Sequence, residues 1–485
     1  MKRIYLLMAT SLIICYTTTA QKHEINYQAE IGAGTAAKPF WLHTNTRNKI
    51  APDTYMWGNI GFITDFVKQN TRAFDYSFGA EGTGALGQHH NRIFVNRLFG
   101  KIRWQNLTLN VGLFDRPTLY DGLSATNGDM LYSNNSRNMA GISLASWDYI
   151  KFPGKAGKYI SFKFRYAEQM MLDNRYVKHT HVHDKMLAGK LTVNPRLSME
   201  IGVEDYGQWG GKSPEGKKRY TFKDYIRLVC IKSGGDNASS SDQINKLGNH
   251  LGNYFARINY QNKDLGISFY YNHLFEDGSG SDYQNAPDGL YGLYLTRRNS
   301  DKWFKSFVYE FYYTKDQSGP LHDRPATEEE IAKKDPSDPF QTVIILRGND
   351  NYFNHGEYLS GWSLYGQMIG MPFCTPTPAT NGIIRGTYNN RVLAHHWGVT
   401  GVLPLMEIQY KLLCSYSLNY GRHSAPFLNE AGKAISKPQF SLGLQLTAPE
   451  KHLPFATTLS LGFDKGDLLH NQFGIMLSIL KIGIF

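Results

Sequence analysis

The sequence predicts an all-β fold: a large antiparallel β-barrel that crosses a membrane with strands and carries long loops. Three observations predict it. Apolar and polar residues alternate with period two in run after run from about residue 74 onward. The composition is rich in aromatics and glycine but poor in charge, with 14% aromatic residues, 19% charged residues and 47 Gly in 485. An export leader opens the chain, and no later stretch approaches the ~18 unbroken apolar residues of a membrane helix.

The same arithmetic excludes other classes. A mean hydropathy of -0.41 is too polar for a bundle of membrane helices. Disordered chains are charge-rich and aromatic-poor, the reverse of this one. The formal net charge of +11 falls to +9 without Lys2 and Arg3. It is spread along the chain rather than gathered in a tail or a basic helix. That favours an anionic polymer or lipid head groups as partner and argues against nucleic acid.

The leader comes first. Lys2 and Arg3 precede an apolar run from Ile4 to Cys15, and Thr18, Thr19 and Ala20 supply the small residues of a cleavage site. Residues 1–20 therefore read as a signal peptide, and residues 21–485 as one outer-membrane β-barrel domain. Lipidation at Cys15 is the alternative, though Ile14 is not the small residue such a site prefers. Cys230, Cys374 and Cys414 remain, odd in number and widely spaced, which supports neither a disulfide framework nor a metal site.

The strands follow. Phe74, Tyr76 and Phe78 alternate with Asp75, Ser77 and Gly79. Ile160, Phe162, Phe164 and Tyr166 alternate with Ser161, Lys163 and Arg165. Leu197, Met199, Ile201 and Val203 face away from Ser198, Glu200 and Gly202, and Ile408 to Tyr420 repeats the pattern at greater length. Runs of ~10 residues match a tilted crossing of a bilayer. Their polar faces carry Lys, Arg and Glu, which a dry sandwich core rejects and a water-filled or plugged lumen accepts. A secreted propeller is the rival, but it needs a repeat of ~40–50 residues that the chain lacks. Some 16 to 20 strands of about ten residues leave more than half of the chain for turns and loops.

The loops come last. Residues 233–245 and 276–288 are rich in Gly, Ser, Asn and Asp. Residues 315–340 hold four prolines, and Thr327 and Glu330 have capping-box spacing for a helix of two turns that Pro336 would end. Phe485 closes the final alternating run.

One stretch does not read as a plain strand: Arg347-Gly-Asn-Asp-Asn-Tyr-Phe-Asn-His-Gly-Glu-Tyr-Leu-Ser-Gly-Trp362, continuing to Phe373. With Lys38-Pro-Phe-Trp-Leu42, Asp121-Gly-Leu-Ser124, the Asn/Ser-rich stretch Ser133–Ala140 and Asn389-Asn-Arg-Val-Leu-Ala-His-His-Trp-Gly-Val399, it resembles the capsule assembly (Wzi) family in its Bacteroidetes form. The resemblance runs through the mature chain in order. It implies an outer-membrane barrel of about 18 strands, lectin-like, that helps to attach capsular polysaccharide to the surface of a Gram-negative cell. It implies no enzyme activity and no cofactor. The terminal Phe485 resembles the signal read by the barrel assembly machinery. The expected partners are thus capsular or other surface polysaccharide, outer-membrane lipids and that machinery. The helical plug of some family members has no counterpart near this N-terminus, so a small helical plug or a loop helix is expected elsewhere, if present.

The candidate site residues are Asp350, Asn351, Tyr352, Asn354, His355, Glu357, Trp362, Asn390, Arg391, His395 and His396. Planar amides and carboxylates match pairs of sugar hydroxyls, and aromatic faces stack on the C–H face of a pyranose. The same residues also suit a polar network that braces the lumen. His395 and His396, adjacent on a strand, point to opposite faces. His179, His181 and His183 share a strand face, which is a metal-ligand spacing but more often a plain stripe. Two other functions fit the same fold: a porin or solute channel, and a membrane-embedded hydrolase, although no nucleophile motif such as G-x-S-x-G is present.

Overall fold

The computed structural model describes residues 24–483, apart from 68–73, 218–219, 277, 299–302, 405, 452 and most of 236–245 and 318–349. The signal peptide and Phe485 lie outside the described residues; of the helix expected after Thr327 only Glu328 and Glu329 are described, and both are helical.

Period-two alternation becomes eighteen long strands. They are β1 (Ile25–Gly34), β2 (Thr54–Thr64), β3 (Asp75–Gly87), β4 (Arg92–Trp104), β5 (Leu107–Leu113), β6 (Ala140–Ser146), β7 (Ile160–Met170), β8 (His181–Asn194) and β9 (Leu197–Trp209). The second half holds β10 (Asn249–Gln261), β11 (Leu265–Phe275), β12 (Gly289–Arg297), β13 (Ser306–Tyr313), β14 (Val392–Leu403), β15 (Ile408–Asn419), β16 (Lys437–Ala448), β17 (Ala456–Gly466) and β18 (Gln472–Gly483). Each pairs antiparallel with the next, and β1 pairs with β18, Ile31 opposite Ile479. The barrel is closed, so none of these eighteen strands is left with an unpaired edge.

The two faces carry opposite chemistry. On β3, Tyr76 and Phe78 are 44% and 37% exposed, whereas Asp75 and Glu81 are 1% and 2% exposed. Ile60, Ile93 and Ile201 also point outward into open space. Such an apolar exterior is stable only against hydrocarbon. Carboxylates on the inner face are paired, as buried charge requires. Glu81 receives Lys49 at 2.8 Å and Arg97 at 3.1 Å. Asp184 receives Arg116 at 2.7 Å and Arg165 at 2.9 Å.

The connections sort by length. At the end where β1 begins and β18 finishes, several turns are short: 105–106, 195–196, 262–264 and 404–407. The opposite end carries the long connections 35–53, 114–139, 210–248 and 314–391. In outer-membrane barrels the short turns are periplasmic and the long loops extracellular.

Three of these loops turn inward and close the extracellular half of the lumen. The first forms a single-turn helix, α1 (Phe40–His43), whose Phe40, Trp41 and Leu42 are buried. Trp41 lies against the wall at Gly443, where a Cβ would collide with its side chain. Met130, Leu131 and Tyr132 from the second loop, and Trp362, Leu364, Met368, Ile369, Met371 and Phe373 from the third, join Phe40 and Trp41 in one apolar cluster. That cluster rests on Leu251, Leu274, Leu290, Tyr312 and Val392, all at the extracellular ends of their strands. The two larger loops pack so closely that a Cβ on Gly370 would strike the Met130 carbonyl. The plug is therefore mainly irregular loop, with short helical turns at Phe40–His43 and Tyr120–Gly122. Its polar backbone is satisfied across loops, as where Ser133 N–H donates to Ile369 O at 2.9 Å.

Candidate functional site

Residues 350–362 begin at the extracellular surface and descend into the plug, and the sequence sets this path. Tyr352, Phe353 and Trp362 are apolar or amphipathic and end fully buried. The Asn, Asp and His residues between them stay nearer the surface.

The buried members brace the barrel. Tyr352 Oη accepts from Asn285 Nδ2 at 2.5 Å. Trp362 Nε1 donates to Leu131 O at 2.6 Å, and its ring lies 5.4 Å from that of Tyr206. Trp362 is fully enclosed and has no face to offer a sugar. Asn390, also fully buried, donates to Asn351 Oδ1 at 2.7 Å and to Tyr352 O at 2.8 Å. Asn354 donates to Asn351 Oδ1 at 2.9 Å and accepts from Thr387 N at 2.7 Å. His355 Nδ1 accepts from the backbone N–H groups of Glu357, at 3.1 Å, and Tyr358, so that ring nitrogen caps a local turn. Arg391 donates to Lys315 O at 3.2 Å.

The adjacent histidines separate as β geometry demands. His396 faces the lumen, with Nε2 2.7 Å from Leu123 O and Nδ1 3.0 Å from Ser415 Oγ. His395 faces outward among Tyr309, Phe311 and Trp397. It is on the outer wall, away from the other candidates. Of the histidine stripe, His181 and His183 share the outward face of β8 and only His179 lies off the strand. His179 sits ahead of β8 with φ +54°, His181 lies against Trp209 and His183 pairs with Glu168 at 2.6 Å. Among the described residues, no group of three or more His, Cys, Asp and Glu is arranged to hold a metal ion.

Asp350, Asn351, Asn354 and His355 meet at a cleft of about 540 Å³ in the extracellular mouth. Arg385, further along the same loop, and Lys246, His250, Glu276 and Arg422 from four other loops or strand ends complete it. Sequence reading missed these five, because they are scattered over nearly 180 positions and only barrel closure brings them together. Glu276 accepts the Phe353 N–H at 2.6 Å and so ties the segment to the rim. His250 Nδ1 is held by Asp205 at 3.0 Å. Arg385 lies over the Tyr176 ring, 5.2 Å from its centre. The cleft thus offers cations, carboxylates and amides on a floor fixed by hydrogen bonds. Such a set can bind a hydroxyl-rich chain bearing acidic groups.

Fold and site together define a transmembrane β-barrel with a plugged lumen and a polar cleft at its extracellular mouth. The sequence model of the family described as capsule assembly protein Wzi matches residues 43–325, more than half of the chain. The protein belongs to that family, and it is an outer-membrane protein. The matched region ends before Asn349, so the 349–373 block lies outside it while Asp121–Ser124 and Ser133–Ala140 lie inside.

Wzi of Escherichia coli is a solved structure similar to this chain, with a TM-score of 0.56 and 11% identity over 95% of this chain and 84% of that one. It is described as an outer-membrane protein involved in group 1 capsule assembly and as a carbohydrate-binding β-barrel. OprD of Pseudomonas aeruginosa aligns over 95% of both chains with a TM-score of 0.45 and 11% identity. No curated protein sequence matches this chain.

Proposed function

We propose that this protein holds an acidic capsular polysaccharide at the cell surface, in the mouth cleft, and that the plugged barrel is its anchor and not a conduit. The observation that carries this reading is the cleft itself: Lys246, Arg385 and Arg422 stand around Asp350, Asn351, Asn354 and His355, above a lumen filled by apolar side chains. The cations suit uronate or other acidic groups, and the amides suit hydroxyls. The role is non-enzymatic and needs no cofactor. The chain would leave the cytoplasm of a Gram-negative cell with a signal peptide cleaved after Ala20, and would be inserted among outer-membrane lipids by the barrel assembly machinery.

The test is a comparison of cell-bound with released polysaccharide in cells carrying no protein, wild type, or Arg385→Ala/Arg422→Ala. Both side chains lie on the surface of the cleft, so the barrel should fold. The expected result is normal total polysaccharide that shifts to the medium in the null and the variant. Binding of purified glycan should weaken as salt rises, because exposed charge pairs are screened. Unchanged surface retention in the null strain overturns attachment, and steady conductance of the wild-type barrel would favour the channel instead.

A further inference from the structure

Most of the described part of the extracellular loop 210–248 lies outside the lumen. It folds over the outer wall and forms a second helix, α2 (Phe222–Val229), started by a reciprocal capping box between Thr221 and Asp224. The helix is pinned to the wall on one side. Tyr225 Oη donates to Glu168 at 2.7 Å and meets the Tyr166 hydroxyl, its ring is 5.4 Å from Trp209, and Leu228 is fully buried. The flank beside it is bare: Phe222 is 79% exposed and Ile226 46% exposed, with the Phe222 ring 6.5 Å from that of Tyr225. Four residues apart, they share one face. Lys223 and Arg227 form the next stripe around the helix, and Lys217, Lys218, Arg219 and Lys232 flank it in sequence.

The height of the helix on the wall gives this pattern its meaning. Under α2 the outward side chains are polar: Glu168, His183, Lys185 and Asp205. A few residues further along the same strands toward the periplasm they become apolar and bare, with Leu187 57% and Ile201 69% exposed. The helix therefore lies where the lipid-facing belt gives way to polar wall. Outward aromatics continue around the barrel in the extracellular half of neighbouring strands, in Tyr254, Tyr271, Tyr291, Phe311 and Trp397. Such girdles mark the membrane interface.

We infer that α2 is a lipid-binding element of the outer leaflet, with Phe222 and Ile226 in the acyl-chain boundary and Lys223 and Arg227 on head-group phosphates. An amphipathic helix with one apolar and one basic stripe lies in an interface in this way. The exposed apolar face is continuous with the belt that already faces lipid, and the basic stripe complements phosphate. The ligand is a phosphorylated lipid of the outer leaflet. This surface is separate from the glycan cleft, so its test is independent of attachment.

The experiment uses the full chain in nanodiscs of phosphatidylcholine, with or without bisphosphorylated lipid A. In Phe222→Trp, brominated acyl chains should quench the added tryptophan beyond the wild-type signal. Lys223→Gln/Arg227→Gln should lower retention of lipid A about tenfold in native mass spectrometry, with gel mobility of the folded barrel unchanged. Lipid A stripped of its phosphates should be retained as poorly by wild type as the intact lipid is by the double variant. Quenching in Phe222→Trp no greater than in wild type, or equal retention of lipid A by wild type and the double variant, overturns the inference.

Discussion

Toward its extracellular end the lumen is packed with Trp41, Leu131, Trp362, Met371 and Phe373, all buried in one apolar cluster. Toward the periplasmic end strands β8 to β12 line a cavity of about 440 Å³ with Lys190, Ser198, Glu200, Asn259, Ser268 and Thr296. The wall alternates identically in both halves. What differs is the loops: three at one end are long and carry Trp, Met and Phe into the lumen, while the connections at the other are shorter and reach in with polar contacts such as Tyr149 Oη to Glu200 at 3.0 Å. A barrel wall thus specifies a polar lumen, and its loops decide whether that lumen stays open. A channel needs both halves open, whereas an anchor needs only the wall and a firm extracellular floor.

The sharpest way to break this contrast is to empty the plug. Trp362→Ala removes the largest fully buried side chain of the plug and should cost about 3–5 kcal/mol, felt mainly by the loops because the wall keeps its ladder. Wild type should be closed in planar bilayers and the variant should conduct; equal traces would show that something other than the plug seals the barrel. Next comes the clamp on loop 114–139, where Arg116 reaches Asp184 at 2.7 Å and Tyr206 Oη at 2.5 Å. Arg116→Ala leaves the buried carboxylate with Arg165 as its remaining cation, at a cost of about 3 kcal/mol. Faster proteolysis within 114–139 would report it.

A smaller and pH-dependent effect is expected at Asp288, which accepts the N–H groups of Asp316 at 2.9 Å and Gln317 at 2.6 Å at the base of the longest loop. Burial pushes its carboxyl up to about 7 despite those bonds. A raised carboxyl pKa means that the folded state keeps a proton the unfolded chain releases. Its ionisation therefore erodes stability as pH rises from about 4 to about 7, and the loss persists above that. Asp288→Asn should stabilise the barrel by about 2 kcal/mol at alkaline pH, with the gain vanishing toward about pH 4. Thermal shifts of folded-barrel gel mobility across that range would check the sign. The smallest effect belongs to the open half. Lys190 is 3.7 Å from Glu200 and partly solvated, so Lys190→Ala should change stability by less than about 0.5 kcal/mol. A large loss there would mean that the periplasmic half is packed as tightly as the plug.

The alternation of Phe74 to Glu81 or Ile408 to Tyr420 was enough to read both faces of the wall, because a strand sends successive side chains to opposite sides whatever its neighbours are. The same rule separated His395 from His396. It left open which of the polar residues at 350–362 brace and which reach the surface. Tyr352, Trp362 and Asn390 went to bracing and Asp350 and His355 to the cleft, a division set by loops that meet only after the barrel closes. The helix on the outer wall escaped notice because eight residues are too few for a strong periodic signal.

By itself, then, the sequence determined a closed antiparallel barrel with an apolar exterior and a polar lumen, since period-two patterning is local and acts strand by strand. Tertiary structure alone decided the plug, the mouth cleft and the placement of α2. Each brings together residues from distant loops, and the contacts between them depend on the circumference and register that only eighteen paired strands impose.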